Sequence, residues 1–128
     1  MSAYTGPERR RHRRIKVNFM VLYSTVSFLS KIKLVKNKDK YAVMLDLGEE
    51  GMAVLLEHEI PSGTTLNIKF TLPPVGRLTY LNRPIPISAT GCVVDSKFIG
   101  RDGFRVGIKF TDILAGDQEI VSDFVNNF

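Results

Sequence analysis

Leu66-Asn67-Ile68-Lys69-Phe70-Thr71-Leu72 carries an apolar side chain at every second position and a polar one between. Successive side chains of an extended chain point to opposite faces, so this stretch reads as a strand buried on one side and wet on the other. Pro61-Ser62-Gly63 turns the chain into it, and Pro73-Pro74-Val75-Gly76 opens a loop that runs on to about Pro84. Phe104, Val106, Ile108 and Phe110 repeat the pattern against Arg105, Gly107 and Lys109. Residues 87–96 form the strand before it, across a polar turn holding Gly100 and Gly103, with Pro86 at a strand start or edge. Upstream, Val17, Phe19, Val21 and Tyr23 share one face, and Asn18, Met20, Leu22 and Ser24 the other. Residues 41–45 and 52–56 are short strands close enough to pair as a hairpin. Residues 46–51, Asp-Leu-Gly-Glu-Glu-Gly, are the turn between them. The lysine-rich residues 31–40 read as an exposed edge or turn with residues 37–39 at the tip.

The period changes at the C-terminus. In residues 117–128, Ile120, Val121, Phe124, Val125 and Phe128 fall on one helical face, with Asp117 or Asp112 available as N-cap. Six short strands and one terminal helix predict an all-β fold with a terminal helix: a small, six-stranded antiparallel, split β-barrel closed by a C-terminal α-helix. The expected organisation is a flexible leader at residues 1–8 and one domain over 9–128. Within that domain, residues 9–16 are an Arg-rich segment, 17–110 the barrel and 113–128 the helical segment.

At 128 residues the chain has room for one ordinary domain. With 44% hydrophobic and 24% charged residues it has the composition of a folded globule and not of a disordered chain. Its longest apolar runs, such as residues 19–23, are far short of the ~20 residues that span a bilayer, and no apolar stretch of signal-peptide type follows the basic N-terminus. A cytoplasmic location is therefore expected. The charge is unevenly placed. Residues 1–16 hold six of the 18 Lys/Arg and one of the 13 Asp/Glu, which leaves twelve of each in residues 17–128. The sequence describes a neutral body with one local anion hook, not the globally basic surface of a protein that coats nucleic acid.

The hook and the hairpin turn carry a resemblance. Glu8-Arg9-Arg10-Arg11-His12-Arg13-Arg14-Ile15-Lys16-Val17 runs straight into the first strand, and Asp46-Leu47-Gly48-Glu49-Glu50-Gly51 follows downstream. In this order and beside these strands, they resemble the PilZ domain family, which carries R-x-x-x-R before its first barrel strand and [D/N]-x-S-x-x-G in a strand-joining turn. Counted back from Val17, the first motif falls on Arg10 and Arg14, although Arg9 and Arg13 have the same spacing. The second falls on Asp46 and Gly51, with Gly48 where the family has serine. Val106-Gly107-Ile108-Lys109-Phe110 before a helix is similar to the family's barrel end.

The resemblance implies a receptor for cyclic di-GMP, and the residue chemistry suits that ligand. Arginine can pair bidentately with guanine O6 and N7 or with phosphate oxygens, and can stack on a purine. An Asp46 carboxylate can accept from the guanine N1–H and N2–H edge. Gly51 lets the backbone pass close to a ligand or take positive φ. Gly48 removes a hydroxyl, a loss of ~0.5–1.5 kcal/mol or about 2- to 12-fold in affinity. In the family, an arginine at the position of Arg9 goes with capture of a stacked pair of ligands. The implied site is Arg9, Arg10, Arg14, Asp46, Gly48 and Gly51, with an unidentified downstream protein as partner.

Three classes of function compete. The first is this cyclic di-GMP receptor or adaptor. The second is a PilZ-like protein-interaction adaptor whose nucleotide site has degenerated, which the Gly48 change permits. The third is a single-strand nucleic-acid binder built on a small barrel with a basic arm, disfavoured by the neutral body; no DNA or RNA partner is expected. His12 lies among arginines and His58 between Glu57 and Glu59, with no partners suited to a metal site. Cys92, the single cysteine, reads as a buried small hydrophobe in a strand. No nucleophile–base pair is readable, so no catalysis and no cofactor are expected.

Overall fold

The computed structural model describes residues 13–26 and 39–127. Arg9, Arg10, His12, the lysine-rich tip at 31–38 and Phe128 lie outside the described residues. Six strands, β1 (Arg14–Thr25), β2 (Lys40–Gly48), β3 (Gly51–Leu56), β4 (Thr65–Leu72), β5 (Ile85–Phe98) and β6 (Phe104–Ile113), precede helix α1 (Ala115–Asn127). They close into an antiparallel barrel in the order β1-β2-β3-β6-β5-β4, with β4 pairing back to β1. The closing β1–β4 ladder is short, running from Leu22 opposite Lys69 to Thr25 opposite Leu66.

The alternation read from sequence fills the barrel. In β4, Leu66, Ile68, Phe70 and Leu72 are buried and meet Val21, Met44, Val54, Ile87, Val106 and Ile108 in one core. The strands are longer than the periodicity predicts. β1 starts at Arg14 and not at Val17, β2 runs on to Gly48, and β5 and β6 reach Phe98 and Ile113. The added ends carry exposed residues, from Lys16 in β1 to Phe98 in β5 and Asp112 in β6, that interrupt the apolar pattern without breaking the pairing. The loop after β4 contains a 3-10 turn over Gly76–Leu81, closed by Asn82 at φ 50°.

α1 covers one opening of the barrel. Val121, Phe124 and Val125 are buried, Ile120 packs against the core, and the Phe124 ring lies 5.8 Å from that of Phe19. The helix begins at Ala115, inside the expected segment 113–128, with the Leu114 carbonyl accepting from Gln118 N–H. Neither expected cap serves. Asp112 belongs to β6, and Asp117 sits inside the first turn, where its carboxylate accepts the Ser88 backbone N–H at 3.2 Å. Burial of Val121, Phe124 and Val125 holds the helix on the barrel, and neither aspartate caps its start.

Candidate functional site

Asp46 owes its direction to a bulge. Met44 pairs with Val54 and Asp46 with Ala53, so Leu45 is an extra residue in β2. Without it, Ala42, Met44 and Asp46 would share the inner face. With it, Met44 and Leu47 both enter the core and Asp46 turns outward. The predicted six-residue turn is therefore mostly strand: Asp46, Leu47 and Gly48 end β2, Gly51 opens β3, and only Glu49 and Glu50 connect them. Asp and Gly favour turns, but pairing with β1 overrides that preference.

Two guanidiniums reach the Asp46 carboxylate from opposite sides. Arg14 pairs with Gly48 across β1 and β2 and places its Nη2 3.3 Å from Asp46 Oδ1. Arg105 pairs with Leu55 across β6 and β3, and its Nη2 donates to Asp46 Oδ2 at 2.5 Å. Since β3 separates β6 from β2, the Arg105 side chain must cross the outer face of β3 to make that bond. Ala53, the partner of both Asp46 and Gly107, lies on that face. Between its two cations Asp46 is only 8% exposed, and its Oδ1 is buried without a hydrogen bond. A buried carboxylate oxygen with an unused lone pair is costly unless a donor arrives.

Register puts more cations on this face. Lys16 pairs with Asp46, and Lys109 with Gly51; both are exposed. Asp95 is the acid at the margin, accepting the Gly107 N–H at 3.2 Å beside the second bulge of β5 and β6. The surface offers one carboxylate in a ring of cations on a floor of glycine and alanine. It suits an anion that also carries a planar hydrogen-bond donor edge.

The two glycines of the hairpin do different things. A Cβ on Gly48 would sit 3.0 Å from Arg14 Cγ and 3.1 Å from the Arg13 carbonyl oxygen, so the Arg14 stem lies over the space a side chain would fill. A Cβ on Gly51 would lie 2.1 Å from the Ile108 carbonyl oxygen. Gly51 has no positive φ; what excludes a side chain there is close approach to β6.

Of the six residues assigned from sequence, the structure brings Arg14, Asp46, Gly48 and Gly51 together; Arg9 and Arg10 lie outside the described residues. Arg105 was missed. Alternation puts it on the outer face with Gly107 and Lys109, but only the β3–β6 pairing shows which strand it lies beside. Elsewhere, His58 is exposed, and Cys92 is half-buried on the outer register beside Lys109 rather than in the core. Among the described residues no group of three or more His, Cys, Asp or Glu could hold a metal ion, and no helix is long and apolar enough to cross a membrane.

A six-stranded closed barrel with a terminal helix and an arginine–aspartate site at the β1–β2–β3 edge defines a small β-barrel module of the PilZ type. The PilZ domain family model matches residues 8–127, and the chain belongs to that family. No curated protein matches the sequence. Among solved structures, it is similar to the Bacillus subtilis inhibitor of motility MotI/DgrA, at 16% identity and a TM-score of 0.71 over 92% of this chain. The chain spans half the length of that protein. It is also similar to the PilZ domain of Escherichia coli YcgR with c-di-GMP, at 15% identity and a TM-score of 0.56, covering 92% of this chain and 89% of that one. A third is the PilZ domain of CeSA from a cellulose-synthesizing bacterium, at 15% identity and a TM-score of 0.54, covering 88% and 94%. At these identities the likeness concerns the fold.

Proposed function

We propose that this chain is a cytoplasmic cyclic di-GMP receptor that acts through a partner protein and performs no chemistry of its own. The observation that carries this reading is the placement of Arg14 over Gly48 and onto Asp46, which joins the two family motifs into one surface. Asp46 accepts from a guanine edge. Arg14 and Arg10 take phosphate oxygens or stack on the bases, and the backbone at Gly48 and Gly51 lines the contact. A calorimetric titration with cyclic di-GMP tests this. Arg10→Ala and Arg14→Ala should each cost about 1.5–3 kcal/mol of binding, with folding stability little changed. A wild-type protein that gives no heat at high micromolar ligand sinks the receptor reading.

Arg9 extends the proposal to two stacked ligands per chain. Such a pair carries four phosphate charges and four guanine faces, more than two arginines can satisfy; a third can bridge phosphates or cap an outer base. The titration should saturate at two ligands and fall to one in Arg9→Leu. Saturation at one in both would remove Arg9 from the site.

The glycine at position 48 favours a second reading, a protein-interaction adaptor without nucleotide binding. There the Arg14–Asp46–Arg105 cluster would be a structural clamp between strands. Absence of binding together with loss of stability in Asp46→Ala would support it.

A further inference from the structure

We propose that Arg105 is a positioning residue of the ligand site: it holds Asp46 so that Oδ1 faces the incoming guanine edge. This rests on the receptor reading above and adds a residue that neither family motif contains. Three observations carry it. Arg105 donates a charge-assisted hydrogen bond to Oδ2, whereas Arg14 stands 3.3 Å from Oδ1 with no hydrogen bond made, so the two arginines hold the carboxylate unequally. Oδ1 is buried under Arg14 and lacks a donor, which is the state of an acceptor waiting for one. Arg105 reaches Asp46 only by crossing β3, where Leu55 stands opposite it and Ala53 lies beside the path.

The physical consequence is a division of labour. A carboxylate has about four lone-pair sites, so Arg105 can keep one of those on Oδ2 while a planar donor edge engages the rest. Arg14 has no hydrogen bond to lose on Oδ1, and its long, half-exposed side chain can swing from the carboxylate to the ligand's phosphate or base face. With Arg105 fixed, Asp46 is already oriented before the ligand arrives, and the cost of orienting it falls outside the binding step. With Arg105 gone, the carboxylate is free to rotate and Arg14 becomes its one ion-pair partner among the described residues. Arg14 is then retained on Asp46 at the moment it is needed elsewhere.

A positioning residue acts through the group it positions, and that gives the test. The full chain is titrated with cyclic di-GMP at low salt as wild type, Arg105→Ala, Asp46→Ala and the double variant, with thermal melts of each. Arg105→Ala should weaken binding about tenfold, within the range for a charged hydrogen bond. It should have no further effect once Asp46 is alanine, and Arg105→Lys should restore part of the loss. Unchanged or tighter binding in Arg105→Ala would overturn the proposal and make Arg105 a counter-ion or a competitor for Asp46. A further loss in the Asp46→Ala background would overturn it too, by making Arg105 a direct ligand contact. A wild type that does not bind at all defeats the receptor reading itself, an outcome distinct from wild-type binding with an indifferent Arg105. Should Arg105→Ala melt below the titration temperature, Arg105→Gln takes its place in the cycle.

Discussion

The inner face of the β2–β3 hairpin presents Met44, Leu47, Met52 and Val54 to the core, each at most 2% exposed, while its outer face presents Asp46, Gly48, Gly51 and Ala53. The inner residues are interchangeable in kind, since a core needs apolar volume and correct direction more than any one side chain. The outer residues are not. Each is fixed by what lies against it: Arg14 and Arg105 on Asp46, the Arg14 stem on Gly48, the Ile108 carbonyl on Gly51. The same two strands thus carry a tolerant face and an exacting one, and substitutions should separate them.

The largest effect belongs to the inner side. Phe124 is fully buried, touches the ring of Phe19 and anchors α1 over the barrel opening. Phe124→Ala should cost ~3–5 kcal/mol of stability in a denaturant titration. Ligand affinity measured below the melting transition should hold, because Phe124 packs in the core whereas Asp46 lies on the outer face of the hairpin. A variant as stable as the parent would show that the helix is not docked.

Next comes the outer side. Arg14→Ala should cost about 1.5–3 kcal/mol of ligand binding. Its effect on folding should stay near ~1 kcal/mol, because Arg14 is partly exposed and Arg105 still pairs with Asp46. A stability loss as large as that of Phe124→Ala would turn the pair into a clamp and favour the adaptor reading.

The inner face was legible in the sequence because its information is local. Alternation in 66–72 and 104–110 and the helical face at 120, 121, 124 and 125 each need only a few neighbouring residues. The outer face was legible only where a motif marked it. Asp46 and Gly48 look like turn residues until β1 pairs with them, and the bulge at Leu45 that turns Asp46 outward has no signature in the sequence. Arg105 is 59 residues from Asp46 in the chain, and the β3–β6 pairing that unites them is long-range. The helix cap was misread for a related reason: Asp117 has the chemistry of a cap but is occupied by Ser88 of a distant strand.

Gly51→Ala sharpens the contrast between the hairpin's two glycines. The added methyl would collide with the Ile108 carbonyl, a backbone atom of a paired strand that cannot step aside alone. The variant should lose ~1–3 kcal/mol of stability, as overpacked sites do, read as a lower midpoint in denaturant. Ligand binding should fall only as far as β3 shifts. If stability is unchanged and binding alone is lost, Gly51 serves the ligand and not the β3–β6 contact.

Gly48→Ser is the smallest change and the one that divides structure from site most finely. The new Cβ meets one soft neighbour and one hard one: Arg14 Cγ at 3.0 Å can move with its side chain, whereas the Arg13 carbonyl at 3.1 Å moves only with the start of β1. A few tenths of an ångström of adjustment suffices, so the stability loss should stay within ~0.5–1 kcal/mol, below the 1–3 kcal/mol of a fully overpacked site. The Arg14 stem shifts with the new Cβ beneath it. The serine hydroxyl also restores a donor and acceptor at the edge of the site. With that hydroxyl, binding of cyclic di-GMP should tighten by about 2- to 12-fold, the equivalent of one neutral hydrogen bond. Weaker binding in Gly48→Ser, at unchanged melting temperature, would mean that Arg14 needs the glycine beneath it. Position 48 would then be a fitted part of this site in its own right, and not a family serine that has been lost.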